Sequence, residues 1–261
     1  MSESIPFSPL PFHRFRNLSS VADLVHGVFT RHGGVSRPPY ATLNVAWSNG
    51  DSLEAVRENL SRVKSAMGLE TLVSSRQVHG DGIHLIDEAA IARARDREPI
   101  LLLQPGDALV TRLRGVGLLI KTADCQAVFL VDATNGVIAN VHCGWRGSVA
   151  QLPVKVVQFM KERLGCRPGD LLAAIGPSLG PCCAEFRNYR EELPPSFYPF
   201  ETKPLHFDFW RITRACLVDA GLHPEHIETA GICTVCAKDR FFSHRGEGKT
   251  GRNAAVLGWK P

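Results

Sequence analysis

Three short stretches each end a strand-like run on a histidine or cysteine beside glycine or aspartate: Gln77-Val78-His79-Gly80, Thr122-Ala123-Asp124-Cys125, and Val141-His142-Cys143-Gly144-Trp145-Arg146-Gly147. Imidazole and thiolate are the soft-to-borderline donors that suit zinc. A His2Cys set supplies three protein ligands and leaves a fourth position for water or substrate, the pattern of a catalytic rather than a structural site. In that position zinc brings the pKa of water toward neutrality and polarises a substrate oxygen or nitrogen. The three residues lie far apart in the chain, so no short-range ligand spacing applies and each, taken singly, reads as structural. Arg146 adds anion chemistry: a strand ends at His142, Gly144 and Gly147 free the backbone, and a planar guanidinium stands close to a helix start.

The elements that must position these groups follow from periodicity. Leu24 to Thr30 reads as a strand closing at Gly33-Gly34. Ser52 is an N-cap for a helix carrying Glu54 in its first turn and Val56, Leu60, Val63 and Met67 on one face. Strands are expected at 83–87, 108–111, 116–122, 127–132, 137–142 and 171–175, with helical or loop character over 89–98. One helix is expected from Gly147 to Leu164, stopped by Gly165, and another from Trp210 to Ala220, closed by Gly221. Short strand-like pieces are expected around 228–234 and 240–244. The strands follow one another too closely for regular βαβ alternation, so the fold class is α+β: one domain over 1–261, with 1–20 as an extended N-terminal arm.

Composition narrows the function classes. The chain has 261 residues, 30 basic against 26 acidic, and a formal charge of +4, too mild and scattered for nucleic acid or an anionic membrane surface. No apolar run approaches the roughly 18 residues of a membrane span. Met1 to Arg16 has neither a basic n-region nor an apolar h-region, so a cytoplasmic protein is expected. Eight cysteines stand at 125, 143, 166, 182, 183, 216, 233 and 236, at low density and without a secretory context, and a disulfide framework is not expected.

Three motifs are decoys. Gly176-Pro177-Ser178-Leu179-Gly180 has the form of a nucleophile elbow, but Gly180-Pro181 cannot start the helix that must follow. Ser243 to Thr250 resembles a P-loop without its first glycine and with too little chain after it, though it brings Arg245, Lys249 and Arg252 toward an anion. Cys233-Thr234-Val235-Cys236 is half a zinc knuckle with no second half in view, and structural cysteines are expected there.

The ordered motifs Gly27 to Ser36, Pro39 to Asn44, Gln77 to Gly80, Gly106 to Thr111, Thr122 to Cys125, His142 to Gly147, Ile175 to Pro177 and Thr250 to Arg252 resemble the YfiH-type laccase-domain family over about Gly27 to Leu257. That family also carries the names polyphenol oxidase, peptidoglycan editing factor and purine nucleoside phosphorylase. The resemblance implies mixed β-sheets layered with helices as an α/β/β/α-type sandwich. It also implies a zinc site, with copper as the other metal, made by His79, Cys125 and His142. The implied chemistry is phosphorolysis of adenosine, inosine, guanosine and methylthioadenosine, plus adenosine deamination by water attacking C6. On this reading Asp124 shuttles a proton or orients its loop, Arg146 with Arg76 or Arg245 holds phosphate, and Asn44 belongs to the substrate-binding set. The partners are a nucleoside and phosphate, with no nucleic acid and no membrane, in a monomer or weak homodimer.

Three other readings stand beside it. Cys125 could be the nucleophile of a hydrolase, with His79 or His142 as its base, editing peptidoglycan precursors as a UDP-MurNAc-L-Ser amidase would. A copper-dependent polyphenol oxidase is disfavoured, because none of the 10 histidines forms a His-x-His pair. A non-catalytic binding module would require the three donors to lie apart in space. The chain departs from the family pattern at Cys143, where alanine is usual, at Ala184, and over His244 to Gly248, where Gly246 replaces an arginine.

Overall fold

The computed structural model describes residues 10–97 and 99–261, and the statements below concern those residues; the side chains of 95–97 are not described. In chain order the strands are β1 (Phe12–His13), β2 (Leu24–Phe29), β3 (Thr71–Arg76), β4 (Ile83–Ile86), β5 (Arg95–Arg97), β6 (Ile100–Pro105), β7 (Ala108–Thr111), β8 (Val116–Thr122), β9 (Gln126–Asp132), β10 (Val137–Cys143), β11 (Leu172–Ile175), β12 (Glu201–Lys203), β13 (His206–Phe207), β14 (Ile227–Thr229) and β15 (Asn253–Trp259). The helices are α1 (Arg16–Ser19), α2 (Leu53–Met67), α3 (Glu88–Arg93), α4 (Trp145–Val149), α5 (Leu152–Leu164), α6 (Tyr189–Glu192), α7 (Phe209–Asp219) and α8 (His244–Glu247).

Two mixed sheets stack face to face. One runs β1-β2-β15-β8-β3-β6-β5 and the other β14-β11-β9-β10-β7-β4. The central strands β9 and β10 are buried on both faces, which is why they read as apolar runs rather than alternating ones. In β9, Phe129 and Val131 fill the core between the sheets, while Val128 and Leu130 turn outward under Val156, Val157 and Met160 of α5 and Leu217 of α7. In β15, Ala255 and Leu257 face inward, and Ala254 and Val256 meet Val56, Leu60 and Val63 of α2. The result is a helix/sheet/sheet/helix sandwich, the α+β class that the sequence leads one to expect.

Local signals hold where capping decides. Ser52 accepts a hydrogen bond from the Ala55 amide at the start of α2, and Gly68 ends that helix at φ 62. Such a cap is worth about 1 kcal/mol. Gly165, at φ 69, closes α5. The single helix expected over 147–164 is two, because Gln151 adopts φ 55 and breaks the run between α4 and α5. The 240–244 piece is not a strand; Ser243 caps the short α8 there. Of the arm expected over 1–20, residues 1–9 lie outside the described residues. The rest is anchored rather than extended: β1 pairs with β2, and Phe15, before α1, and Leu18, within it, are fully buried. None of these helices is long and apolar enough to cross a membrane.

Candidate metal centre and anion cleft

Three connections pass from the first sheet to the second at one end of the sandwich, and each carries functional groups. β3 leads through Arg76, Gln77 and His79 into β4, β6 through Gly106 and Asp107 into β7, and β8 through Asp124 and Cys125 into β9. His142 stands on β10 directly opposite Ala127 of β9, one step from the Cys125 crossover. Residues remote in the chain therefore converge because the strands that carry them change sheets at the same rim.

The 77–80 loop is shaped around one carboxylate. Asp107, fully buried, accepts amide hydrogen bonds from Val78, His79 and Gly80 at 3.1, 3.0 and 2.9 Å. Those bonds hold His79 at φ 59, a left-handed conformation that histidine adopts more readily than bulkier or branched residues. Gln77 pins the same loop to β8, its side chain exchanging hydrogen bonds with the backbone of Lys121. Asp107 also accepts a 2.7 Å bond from Nδ1 of His142. This fixes the ring and turns its other nitrogen to the site, as carboxylates do for metal-ligating histidines.

The donor atoms of His79, Cys125 and His142 lie within 4.8 Å of one another. Nε2 of His79 is 3.8 Å from Sγ of Cys125, and the two imidazoles meet edge to face with centroids 4.9 Å apart. Burial alone would push the Cys125 thiol up, but His142 and His79 outweigh it and bring it down to about 6. Burial likewise opposes the charge on His142, yet the Cys125 thiolate and Asp107 raise it to about 9. Burial also works against ionised Asp107, but the His142 and amide hydrogen bonds hold it below the usual carboxylate range.

The centre opens into a cleft of about 1210 Å³. It has a basic wall, with Arg76, Lys121, Arg245, Lys249 and Arg252, and an aromatic wall, with Trp145, Phe186 and Phe209, and the two meet where the Arg245 guanidinium lies 5.7 Å from the Phe186 ring centroid. Burial brings the Lys121 ammonium down to about 8, against the attraction of Asp107. Its Nζ donates to Oγ of Ser74 and to the Ser75 carbonyl.

The structure separates the expected site residues. His79, Cys125, His142, Arg76 and Arg245 line the cleft. Asp124, at φ 88, also borders the cleft, but its carboxylate accepts from Ser243 Oγ and the Arg245 amide, which holds the 243–245 loop, and from Thr234 Oγ1, which ties that loop to the 233–237 turn. Asn44 does not reach the substrate space. It is fully buried, and its amide is spent on Ala46, Asn49, Asp51 and the Arg252 amide, so it orders the cleft rim instead. Arg146 lies outside the cleft lining too: it is exposed on α4 and stacks over Trp145 at 4.2 Å. Cys143 alternates to the opposite face of β10 from His142, packs in the α5 core, and has its thiol pushed up to about 12 by burial, so it is no fourth ligand. Ser178 is fully buried and accepts from Trp210 Nε1, which ends its candidacy as a nucleophile.

Sequence reasoning missed Asp107 and Lys121. The Gly106-Asp107 pair offered the one hint for the first, and a lysine inside an otherwise apolar strand hinted at the second.

Residues 25–260 match the family described as Multi-copper polyphenol oxidoreductase laccase. The chain belongs to that family. A relative in Bacteroides thetaiotaomicron named Purine nucleoside phosphorylase is 35% identical over 250 residues, covering 91% of this chain and 92% of that protein. Purine nucleoside phosphorylase YlmD of Geobacillus stearothermophilus is also 35% identical over 250 residues, covering 91% and 90%. The crystal structure of YlmD from Geobacillus stearothermophilus superposes with a TM-score of 0.81 at 33% identity over 92% of this chain and 93% of that one. The Bacillus licheniformis hypothetical protein YfiH gives 0.82 at 27% identity over 93% and 95%.

In this laccase-family chain the donor set itself argues for a bound metal. Two imidazoles and a thiolate of lowered pKa face one point, and a carboxylate behind one imidazole fixes its tautomer. Gly144 completes the cradle: a Cβ there would lie 2.9 Å from Cys125 Sγ and 3.3 Å from the His79 ring.

Proposed function

We propose that the protein is a zinc-dependent purine nucleoside phosphorylase acting on adenosine, inosine, guanosine and methylthioadenosine, with adenosine deamination as a second activity. The observation that carries the reading is that one cleft holds a His2Cys donor set, a basic wall and an aromatic wall, in a chain whose relatives bear the phosphorylase name. Phosphorolysis forms a bond from a phosphate oxygen to C1′ and breaks the bond from C1′ to the purine nitrogen, which departs with the electron pair. Arg76, Arg245 and Arg252 hold the phosphate charge, and the Lys121 ammonium adds a donor at their base. Phe186, Phe209 and Trp145 offer the flat apolar faces against which a purine stacks. Asp107 keeps a proton on Nδ1 of His142 and leaves Nε2 free as a ligand. Asp124 serves this site as a positioning residue, fixing the Arg245 backbone. Zinc, when bound by His79, Cys125 and His142, supplies a Lewis acid that polarises a substrate oxygen or nitrogen and acidifies water.

The Cys125 thiolate favours a second reading, a cysteine hydrolase acting on a muropeptide-type amide, since a thiol near 6 flanked by two histidines is a competent nucleophile. Chelation separates the two. Adenosine, inosine, guanosine and methylthioadenosine with phosphate, and separately a muropeptide-type amide, are incubated with the protein, and the products are resolved by chromatography before chelation, after it, and after zinc is restored. Free base formed only with metal supports the phosphorylase. Amide cleavage that survives chelation, with no base released, supports the hydrolase and refutes the first reading.

A further inference from the structure

The half-knuckle at Cys233 and Cys236 has its other half. The 180–183 turn, where the Cys183 amide donates to the Gly180 carbonyl, brings Cys182 and Cys183 against the 233–237 turn, where the Ala237 amide donates to the Cys233 carbonyl. Cys236 Sγ lies 3.5 Å from Cys182 Sγ and 3.6 Å from Cys183 Sγ, and all four sulfurs lie within 4.8 Å of one another. All four are free thiols. Gly180 allows the approach, because a Cβ there would meet Cys233 Cβ at 2.9 Å and Trp210 at 2.7 Å.

We infer that Cys182, Cys183, Cys233 and Cys236 form a structural tetrathiolate zinc site, distinct from the His79–Cys125–His142 centre. Four thiolates at about 2.3 Å from one tetrahedral zinc stand roughly 3.8 Å apart, the spacing toward which this cluster is already drawn. Disulfide pairing explains the arrangement less well, because Cys182 and Cys183 both approach the same partner sulfur, and only one can bond to it. With four protein ligands no position stays open for substrate, so the role is to fix structure.

What the metal would fix is the cleft. Cys183 leads directly into Ala184, into Glu185, whose carbonyl accepts from Arg245, and into Phe186 of the aromatic wall. Thr234, between the other two cysteines, donates to Asp124, which anchors the 243–245 loop. The site would therefore staple the aromatic wall to the loop that carries Arg245.

The test uses the full chain with the first centre disabled by Cys125→Ala and His142→Ala, purified under reducing conditions with zinc. The expected result is one zinc per chain, an X-ray absorption first shell of four sulfurs at about 2.3 Å, and loss of that zinc on adding Cys182→Ser and Cys236→Ser. A companion measurement on the unmutated protein guards against misfolded variants. Maleimide labelling read by mass spectrometry should spare these four cysteines until a chelator is added, and label them afterwards. Four thiols that label equally with and without chelator, a disulfide among them, or a first shell containing nitrogen would overturn the inference.

Discussion

Asp107 Oδ1 lies 2.7 Å from Nδ1 of His142 while the same carboxylate gathers the amides of Val78, His79 and Gly80. One buried side chain thus sets the orientation of one metal-ligand candidate through its ring and of another through its backbone. Replacing it by asparagine puts an amide donor where only acceptors are wanted. Asp107→Asn is expected to weaken metal binding by roughly 10–100-fold, the range for groups that orient metal-ligating histidines. Competition with a chromophoric chelator measures this, and circular dichroism checks that the fold survives.

Gly144 is constrained by space rather than by backbone conformation. Gly144→Ala drives a methyl against Cys125 Sγ and the His79 ring, displacing donors by tenths of an ångström or more. Misplacement on this scale costs on the order of 10–100-fold in kcat. The change in Tm should stay small, and kinetics beside calorimetry distinguish a displaced site from an unfolded one.

Lys121 predicts a pH effect on phosphate rather than on nucleoside. Its ammonium loses its proton near 8, so its charge is present below that pH and lost as pH rises through it. KM for phosphate should rise several-fold between pH 7 and 9, with a flatter profile in Lys121→Met. Initial rates over a phosphate series at each pH check it. Arg76, Arg245 and Arg252 line the same cleft, so binding should weaken but not vanish.

His26 reports on the sandwich instead of the site. Burial brings it from 6.5 to about 4, and its Nε2 accepts a 3.0 Å bond from the Phe15 amide, which requires the neutral ring. The folded pKa is depressed, so the associated stability is fully present above 6.5 and is lost as pH falls toward 4. The loss approaches about 3 kcal/mol by linkage. Urea denaturation at pH 7 and pH 4.5 should show a steeper fall for the natural protein than for His26→Gln.

How much of this was readable from the chain depends on what kind of signal each element carries. The α2 helix declares itself through Ser52, Gly68 and a single apolar face, all local chemistry. The centre was approachable because histidine and cysteine at strand ends beside glycine are conspicuous. β15 was not: Asn253 to Trp259 is buried on both faces in the middle of its sheet, so it lacks the alternation that marks a half-exposed strand. β3 hid for a related reason, since its buried Ser74 and Ser75 interrupt the apolar pattern that marks a strand. Arg146 looked like an anion ligand by its neighbours, and the fold stacks its guanidinium over Trp145, beside rather than among the residues that line the cleft. Cys182 and Cys183 could not be matched to Cys233 and Cys236 because only the fold brings the two turns together.

The central claim concerns where phosphate goes. Adenosine and inorganic phosphate are incubated with the zinc-loaded protein and followed by phosphorus NMR, with adenine quantified in the same tube. The account predicts a ribose 1-phosphate resonance growing mole for mole with adenine, and neither product above background with Cys125→Ala. Adenine released without consumption of phosphate, or equal product from Cys125→Ala, would contradict it.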